Sequence, residues 1–408
     1  MASQSFASDY APARDVPRAE RNFFDLVGPA LVEQPLAFLC GDREYRFGLT
    51  PERTVVRVHD PRVFDDMLTG GNLGLGEAYA DGKIEVVHGT LEGLIVALIR
   101  ADAEKYVRGN PLSMLRVAAI HLGNLLRSRE RNVQAHYDLG AELFEACLDD
   151  SLAYSCGYAF SADDALADLQ RQKFDRICRK LRLKPGERLL DIGCGFGGLL
   201  IHAAKHHGVR GIGITLSNVQ LKRGKERLAA ERLTDRIEIV FASHERLPAG
   251  PYDKIVSVGM FEHLKLGDYP TFFRNIKSAL APEGLGLVHT IGCATEHNPR
   301  DAFMQKYIFP GGRTPTLSEL ATNIERCDMP ILDVENMVRH YAPTTRRWLE
   351  NFQRNYHKLD HEKYDARFKR IWEYYLACGA AAATASPAAL WQVLFANSHK
   401  LDTPFQRV

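Results

Sequence analysis

The chain has 408 residues, 45% apolar and 25% charged, a balance that excludes general disorder and leaves length for two to three packed domains. Lys plus Arg number 52 against 51 Asp plus Glu, so no global field draws the protein to nucleic acid or membrane, and any such attraction needs a local patch. The first twenty residues carry no apolar run, and Leu94 to Ile99 is far shorter than the roughly 20 residues a spanning helix needs, so neither a secretory signal nor a transmembrane segment is expected. Eight scattered cysteines without a C-x-x-C pair fit reduced thiols in a cytosol, with no disulfide frame and no metal site.

In chain order, residues 1–22 read as a loose tail rich in Ala, Ser and charge. A small α+β domain follows over 23–105. Tyr45 to Phe47 and Thr54 to Val58 look like short strands around a turn at Gly48, Thr50 and Pro51, and Val63 to Leu68 and Leu91 to Ile99 have helical spacing. Residues 106–131 form a linker whose later part predicts an amphipathic helix. Leu115, Ala118, Ala119, Leu122, Leu125 and Leu126 share its apolar face, and four Arg less one Glu leave a charge of +3 over 112–131. Such a helix either packs on a neighbouring domain or lies on a membrane surface.

The remainder, 132–408, alternates strands and helices. Arg188 to Ile192 is a strand, then come a Gly-rich turn and a helix through His206. Gly211 to Leu216 is a second strand with helix Val219 to Glu231 after it, and Ile237 to Phe241, Lys254 to Val258 and Leu285 to His289 add three more. That period implies βαβ crossovers and a mostly parallel sheet covered on both faces.

Asp191-Ile-Gly-Cys-Gly-Phe-Gly-Gly198 joins the first strand to its helix, and Gly193, Gly195 and Gly198 satisfy G-x-G-x-x-G. Glycines there permit positive φ and let backbone N–H groups approach a ligand. A nicotinamide site would place an acid about 20 residues on, at the end of the second strand. Thr215 to Gln220 stand there instead, and the acid, Asp191, ends the first strand, where it can orient the loop beside a cationic ligand. This placement resembles class I S-adenosylmethionine methyltransferases. A tight turn with a capping Asp and no ligand, and a Rossmann oxidoreductase, are the competing readings.

Seven further stretches sharpen the resemblance: His136 to Gly140, Tyr154 to Tyr158, Thr215 to Gln220, Ser257 to His263, His289 to Gly292, Lys306 to Pro310 and Leu390 to Val393. Together they resemble the cyclopropane-fatty-acyl-phospholipid synthase family, which includes the mycolic acid cyclopropane synthases. The likeness runs from about residue 23 to 398, and Leu73 to Tyr79 resembles the extra N-terminal domain of the phospholipid-acting branch. It implies a Rossmann-like, seven-stranded α/β methyltransferase sheet with helices on both faces, preceded by a small α+β, lipid-associated N-terminal domain. By the same resemblance Tyr137, Tyr154 and Ser155 close over S-adenosylmethionine, Gly193 and Gly195 pass its methionine part, and Thr215 and Gln220 take the ribose side. Cys156, Glu262, His289, the backbone of Ile291, and Tyr341 would hold a bicarbonate ion that acts as the base.

The implied reaction puts a methylene group across the cis double bond of an unsaturated phospholipid acyl chain. Methyl transfer leaves a carbocation, and loss of a proton from the new methyl closes the ring. Such a site must exclude water, hold a base, and stabilise positive charge, for which the aromatic faces of Tyr154, Tyr158, Phe261, Tyr307 and Tyr341 are candidates. The charges around a bicarbonate balance if either His289 or Glu262 is protonated. Taken singly, Cys156, Glu262 and His289 are ordinary core or capping residues; their joint placement at predicted strand ends reads as a ligand site.

Three departures from the family pattern stand out. Phe196 replaces a usual Trp. Ser243 stands where many relatives have an Asp for the adenine amino group, which brings His244 or Glu245 into consideration. Cys378 lies one place before the usual cysteine position, Gly379, and is given no role. C-methylation or methylenation without ring closure, and a non-catalytic lipid-binding protein, remain alternatives. The expected setting is cytoplasmic, reversibly attached to the inner face of the membrane, with unsaturated phospholipid as substrate, no nucleic-acid partner, and room for a homodimer.

Overall fold

The computed structural model describes residues 16–108, 111, 114–115, 118–120, 122, 139–295 and 301–400. Packing divides the chain into two compact units, residues 1–119 with 367–374, and 120–366 with 375–408. Among the described residues no helix is long and apolar enough to cross a membrane.

The first unit opens with helix α1, Arg18–Leu31, so helical structure begins inside the stretch 1–22 read as a tail. Phe23, Phe24, Val27 and Leu31 recur at helical spacing and are buried, which drives the helix onto a sheet. That sheet holds β1 (Leu36–Cys40), β2 (Arg43–Arg46), β3 (Thr54–Val58) and β4 (Ile84–His88) in the order β2-β1-β3-β4. Phe24 stacks on Tyr45 at 3.9 Å and meets Phe38 and Phe64 edge-on. The buried Glu20 carboxylate accepts two bonds from Arg43, at 2.9 and 3.0 Å, and one from the Tyr45 hydroxyl. Helix α2, Val63–Ala80, outruns the six residues expected and breaks at Gly71, whose φ of 54° a helix does not accept.

A late segment completes this unit. Arg370 donates to the carbonyls of Tyr79 (2.7 Å) and Ile84 (3.0 Å), Arg367 pairs with Asp81 at 2.8 Å, and the Tyr374 hydroxyl donates to Asn72. The unit is therefore built from two stretches about 250 residues apart, where the sequence reading drew one continuous domain over 23–105. The linker helix lies mostly outside the described residues. Those described between 111 and 122 are helical, and Met114, Leu115 and Leu122 are exposed.

The second unit carries β5 (Arg188–Ile192), β6 (Arg210–Thr215), β7 (Ile237–Phe241), β8 (Tyr252–Val258), β9 (Leu280–Cys293), β10 (Ile331–Asn336) and β11 (Ala388–Ala396). Their order is β10-β11-β9-β8-β5-β6-β7; β5 to β9 run parallel, and β11 runs antiparallel to β9 and β10. One core packs Phe174, Ile177, Leu199 and Leu200 on one face of this sheet, and a second packs Phe261, Phe272, Phe273 and Ile276 on the other. Sequential strands diverge on either side of β5, so the crevice at the carboxyl ends of β5 and β8 is where such a sheet binds ligands.

Candidate active site

The turn after β5 is fastened to its neighbour, because the N–H groups of Gly193 and Cys194 both donate to the Ile214 carbonyl, at 2.9 and 3.0 Å. Gly193 has φ of 81°, and a Cβ added there would sit 2.6 Å from Cβ and Cγ of Met260, so neither conformation nor space admits a side chain. Ser257 on β8 donates its hydroxyl to the Ile192 carbonyl at 3.0 Å, which ties the two strand ends together. Above this floor lies a cavity of about 940 Å³. Its lining includes Tyr154, Ser155, Asp191, Gly193, Gly195, Thr215, Gln220 and His244. Ser243 is not part of that lining; its hydroxyl lies 3.4 Å from Nδ1 of the buried His244, so His244 is the one of the pair that faces the cavity. Tyr137 lies outside the described residues.

The Asp191 carboxylate is buried, its Oδ1 has no partner among the described residues, and burial pushes its pKa up to about 7 against the pull of Lys173. Thr215 donates to Gln220 Oε1 at 2.7 Å, and Ser217 caps the following helix, Asn218–Ala230, through the Gln220 N–H. An orphaned carboxylate oxygen, a side-chain-free glycine cradle and a hydroxyl–amide pair fit a ligand with an ammonium group and ribose hydroxyls, as S-adenosylmethionine has.

A second cavity, about 380 Å³, shares Tyr154, Ser155, Gly259 and His263 with the first. Cys156, Glu262, His289, Ile291 and Tyr341 all line it. His289 comes from β9, and Glu262 from the short helical turn Phe261–His263 after β8. Tyr341 opens the helix Tyr341–Asn355. The Glu262 carboxylate accepts from the Thr290 hydroxyl at 2.9 Å and from the Ile291 N–H, and burial raises its pKa to about 7. The Ile291 N–H thus serves Glu262 here. His289 is buried, its Nδ1 lies 3.3 Å from Gln392 Nε2, and its Nε2 has no partner among the described residues. Burial holds its pKa well below the ordinary 6.5, with Lys173 and Lys180 adding to the effect. Of the two protonations that would balance an anion, the neutral Glu262 acid is therefore the one this environment favours. The Cys156 thiol donates to the Gly157 carbonyl at 3.1 Å and is pushed up to about 12, so it is a neutral donor and no nucleophile.

Of the five aromatic candidates, Tyr154 and Tyr341 line the smaller cavity. Phe261 packs in the core, 4.4 Å from Tyr269, Tyr158 is stacked between His340 and Arg176, and Tyr307 contacts Phe303. The reading missed Phe309, Trp348 and Tyr375 in that wall, and the Tyr154 and Tyr375 hydroxyls share a hydrogen bond of 2.7 Å. It also missed Lys173, which lines the larger cavity; a Lys one place before Phe174 on the apolar face of helix Leu166–Lys180 was the available signal. Against the expectation of no metal-ligating cluster, Cys178, His202 and His207 bring ligand atoms within 4.8 Å of one another. They lie outside both cavities, and the Cys178 thiol is pushed up to about 12 by burial.

Glu262 sets a pH signature. Its carboxyl titrates near 4.5 unfolded and near 7 folded, so the folded state binds the proton more tightly and wild-type stability falls as pH rises between those values. Glu262→Gln removes the titration. The variant should match wild type near pH 4.5 and exceed it above pH 7, by at most about 3 kcal/mol and less if cavity water screens the charge. Urea unfolding across that range measures the difference; a variant less stable than wild type at pH 8 would contradict the burial assigned to Glu262.

The switch-point crevice, the glycine cradle and the chain order of the sheet define an S-adenosylmethionine-dependent methyltransferase. The family described as mycolic acid cyclopropane synthetase matches residues 125–393, and the chain belongs to it. It is 37% identical over 344 residues to the cyclopropane-fatty-acyl-phospholipid synthase of Escherichia coli K12, covering 84% of this chain and 87% of that protein. It is 33% identical over 399 residues to a probable fatty acid methyltransferase of Pseudomonas putida, covering 93% and 97%. Among solved structures, the mycolic acid cyclopropane synthase CmaA1 complexed with SAH and CTAB superposes with a TM-score of 0.60 at 29% identity, over 66% of this chain and 99% of that one.

Proposed function

We propose that the protein transfers a methylene group from S-adenosylmethionine to the cis double bond of an unsaturated phospholipid acyl chain, giving a cyclopropane. The observation that carries this reading is the pairing of cavities. A cradle fit for the cofactor shares Tyr154 and Ser155 with an adjoining aromatic pocket that holds a titratable acid, a neutral imidazole and a thiol donor. S-adenosylmethionine would supply an electrophilic methyl, held by Gly193, Gly195, Asp191, Thr215, Gln220 and His244, with Tyr154 and Ser155 over it. Tyr154, Tyr341, Trp348 and Tyr375 keep water from the reacting carbons and offer ring faces to developing positive charge. A bicarbonate held by Cys156, His289 and Glu262 would supply the proton acceptor. The unpartnered His289 Nε2 is the donor or acceptor free to meet it.

A second reading, C-methylation without ring closure, draws support from the likeness to the Pseudomonas putida protein. Both readings are tested by incubating the protein with methyl-labelled S-adenosylmethionine and cis-unsaturated phospholipid vesicles, in bicarbonate-free buffer and after adding bicarbonate back. Label in the acyl chain, slowed by stripping bicarbonate and restored by its return, is the expected result. Full activity in bicarbonate-free buffer would leave Glu262 itself as the base, and no label in lipid would overturn lipid as the substrate.

The enzyme would work from the cytoplasmic face of a bilayer, docked through the N-terminal unit and the basic helix. Exposure of Met114, Leu115 and Leu122 supports that use of the helix over burial in a core. Each Arg would add at most about 1 kcal/mol against anionic lipid. Attachment should weaken as salt shortens the Debye length from about 10 Å at 0.1 M to about 3 Å at 1 M. Changing Arg116, Arg127, Arg129 and Arg131 to Gln should cut sedimentation with anionic vesicles at low salt and leave neutral vesicles unaffected. Equal binding by the two proteins would remove the helix from the docking surface.

A further inference from the structure

The smaller cavity poses a charge problem. Among its described lining residues none is Lys or Arg, His289 is held neutral, and Glu262 carries a negative charge once pH exceeds about 7. An anion entering there meets a carboxylate, and the described wall sets no Lys or Arg against it, only the imidazoles of His263 and His289.

A compensating charge sits behind the wall. Lys173 is fully buried on helix Leu166–Lys180, and among the described residues it has no carboxylate at ion-pair distance. Its Nζ donates to the Ser155 hydroxyl at 2.7 Å and lies 4.6 Å from the ring centre of Phe174. Ser155 lines both cavities, and the next residue, Cys156, lines the smaller one. The ammonium faces Asp191 and Asp149 as charges, and its field reaches Cys156 and His289. Burying an ammonium with one hydrogen bond and no ion pair is costly, and burial lowers the Lys173 pKa to about 8, so the side chain carries its charge below that pH.

We infer that Lys173 is a positioning residue that supplies positive charge allowing the smaller cavity to take an anion, and that it holds Ser155 in the partition between the two cavities. The inference rests on the bicarbonate reading above and names the group that makes anion binding electrostatically feasible. Lys173 touches the anion in no step; it acts through Ser155 and through its field. Lys173 lines the larger cavity beside Asp191 and bonds Ser155, which lines the smaller one as well, so loss of its charge is read in two separate affinities.

The test uses the full chain with Lys173→Met, which removes the charge at similar length, and Lys173→Gln, whose amide keeps a donor for Ser155. Rates are followed at pH 7, where Lys173 is charged, while bicarbonate is titrated into bicarbonate-free buffer, and S-adenosylmethionine affinity is measured by calorimetry. The concentration of bicarbonate giving half the maximal rate should rise at least tenfold in both variants, and by a larger factor than S-adenosylmethionine affinity falls. Lys173→Arg, which retains the charge, should stay within threefold of wild type in bicarbonate requirement. A wild type that needs bicarbonate together with a Met or Gln variant that needs no more of it would overturn the inference, as would a loss confined to S-adenosylmethionine affinity. A wild type indifferent to bicarbonate would instead overturn the anion reading on which it rests.

Discussion

Glu262→Gln should reduce the turnover number by about 10²- to 10⁴-fold, the range a positioned acid–base group commonly supplies, while S-adenosylmethionine affinity changes less than threefold. The separation follows from the architecture. Glu262 lines the smaller cavity and is absent from the lining of the larger one, so its loss leaves the cofactor cradle intact. Gln has the same shape and its one amide oxygen can still accept from the Thr290 hydroxyl, so packing survives while the titrating proton and the second acceptor oxygen are lost. His289→Ala and Cys156→Ser should follow the same pattern with smaller losses, since each supplies a contact and not the acid. Single-turnover rates beside calorimetric titration measure the split. Near-normal turnover by the Gln variant would remove Glu262 from the proton chemistry.

Gly193→Val should abolish measurable S-adenosylmethionine binding, a loss of at least about 100-fold, in a protein that remains folded. Two costs act together. A β-branched residue at φ of 81° is strained by about 1–3 kcal/mol, and the added Cβ would lie 2.6 Å from Met260. Relief requires the turn or the Met260 side chain to shift, and both border the cofactor cavity. The strand β5 itself, anchored between β6 and β8, should hold, so near-ultraviolet circular dichroism should stay native. Undiminished affinity in a folded variant would mean the glycine turn is a structural feature alone.

Strands β5 to β9 were legible because both faces of the sheet are covered, which makes them apolar runs ended by glycine and polar turns. Their read limits agree closely with the structure at Arg188–Ile192 and Ile237–Phe241. The edge strand β10, Ile331–Asn336, is half-buried along most of its length and carries Asp333 and Glu335, which pair with Lys180 and Arg176, so no apolar alternation marks it. β11 was seen only as the motif Leu390 to Val393, since a lone apolar run near the end of a chain does not reveal its antiparallel place between β9 and β10.

The site divided along the same line. Residues on the motif-bearing loops, such as Cys156, Glu262 and His289, were named from sequence and meet in one cavity. Trp348, Tyr375 and Lys173 come from helices whose local pattern reads as ordinary packing, and only the tertiary fold turns them toward a cavity. The segment 367–374 shows the limit most plainly, because its hydrogen bonds to Tyr79, Asp81 and Ile84 span almost 290 residues of chain.

Ring closure is the claim on which the rest depends, and the product tests it directly. After incubation with S-adenosylmethionine and vesicles of a single cis-unsaturated phospholipid, the acyl chains are released and examined by proton nuclear magnetic resonance and mass spectrometry. The pocket of Glu262, His289 and Cys156 predicts a chain heavier by one CH₂, with the olefinic protons gone and the high-field protons of a cyclopropane present. A chain of the same added mass that keeps an olefinic signal and shows a methyl branch or an exocyclic methylene would contradict it.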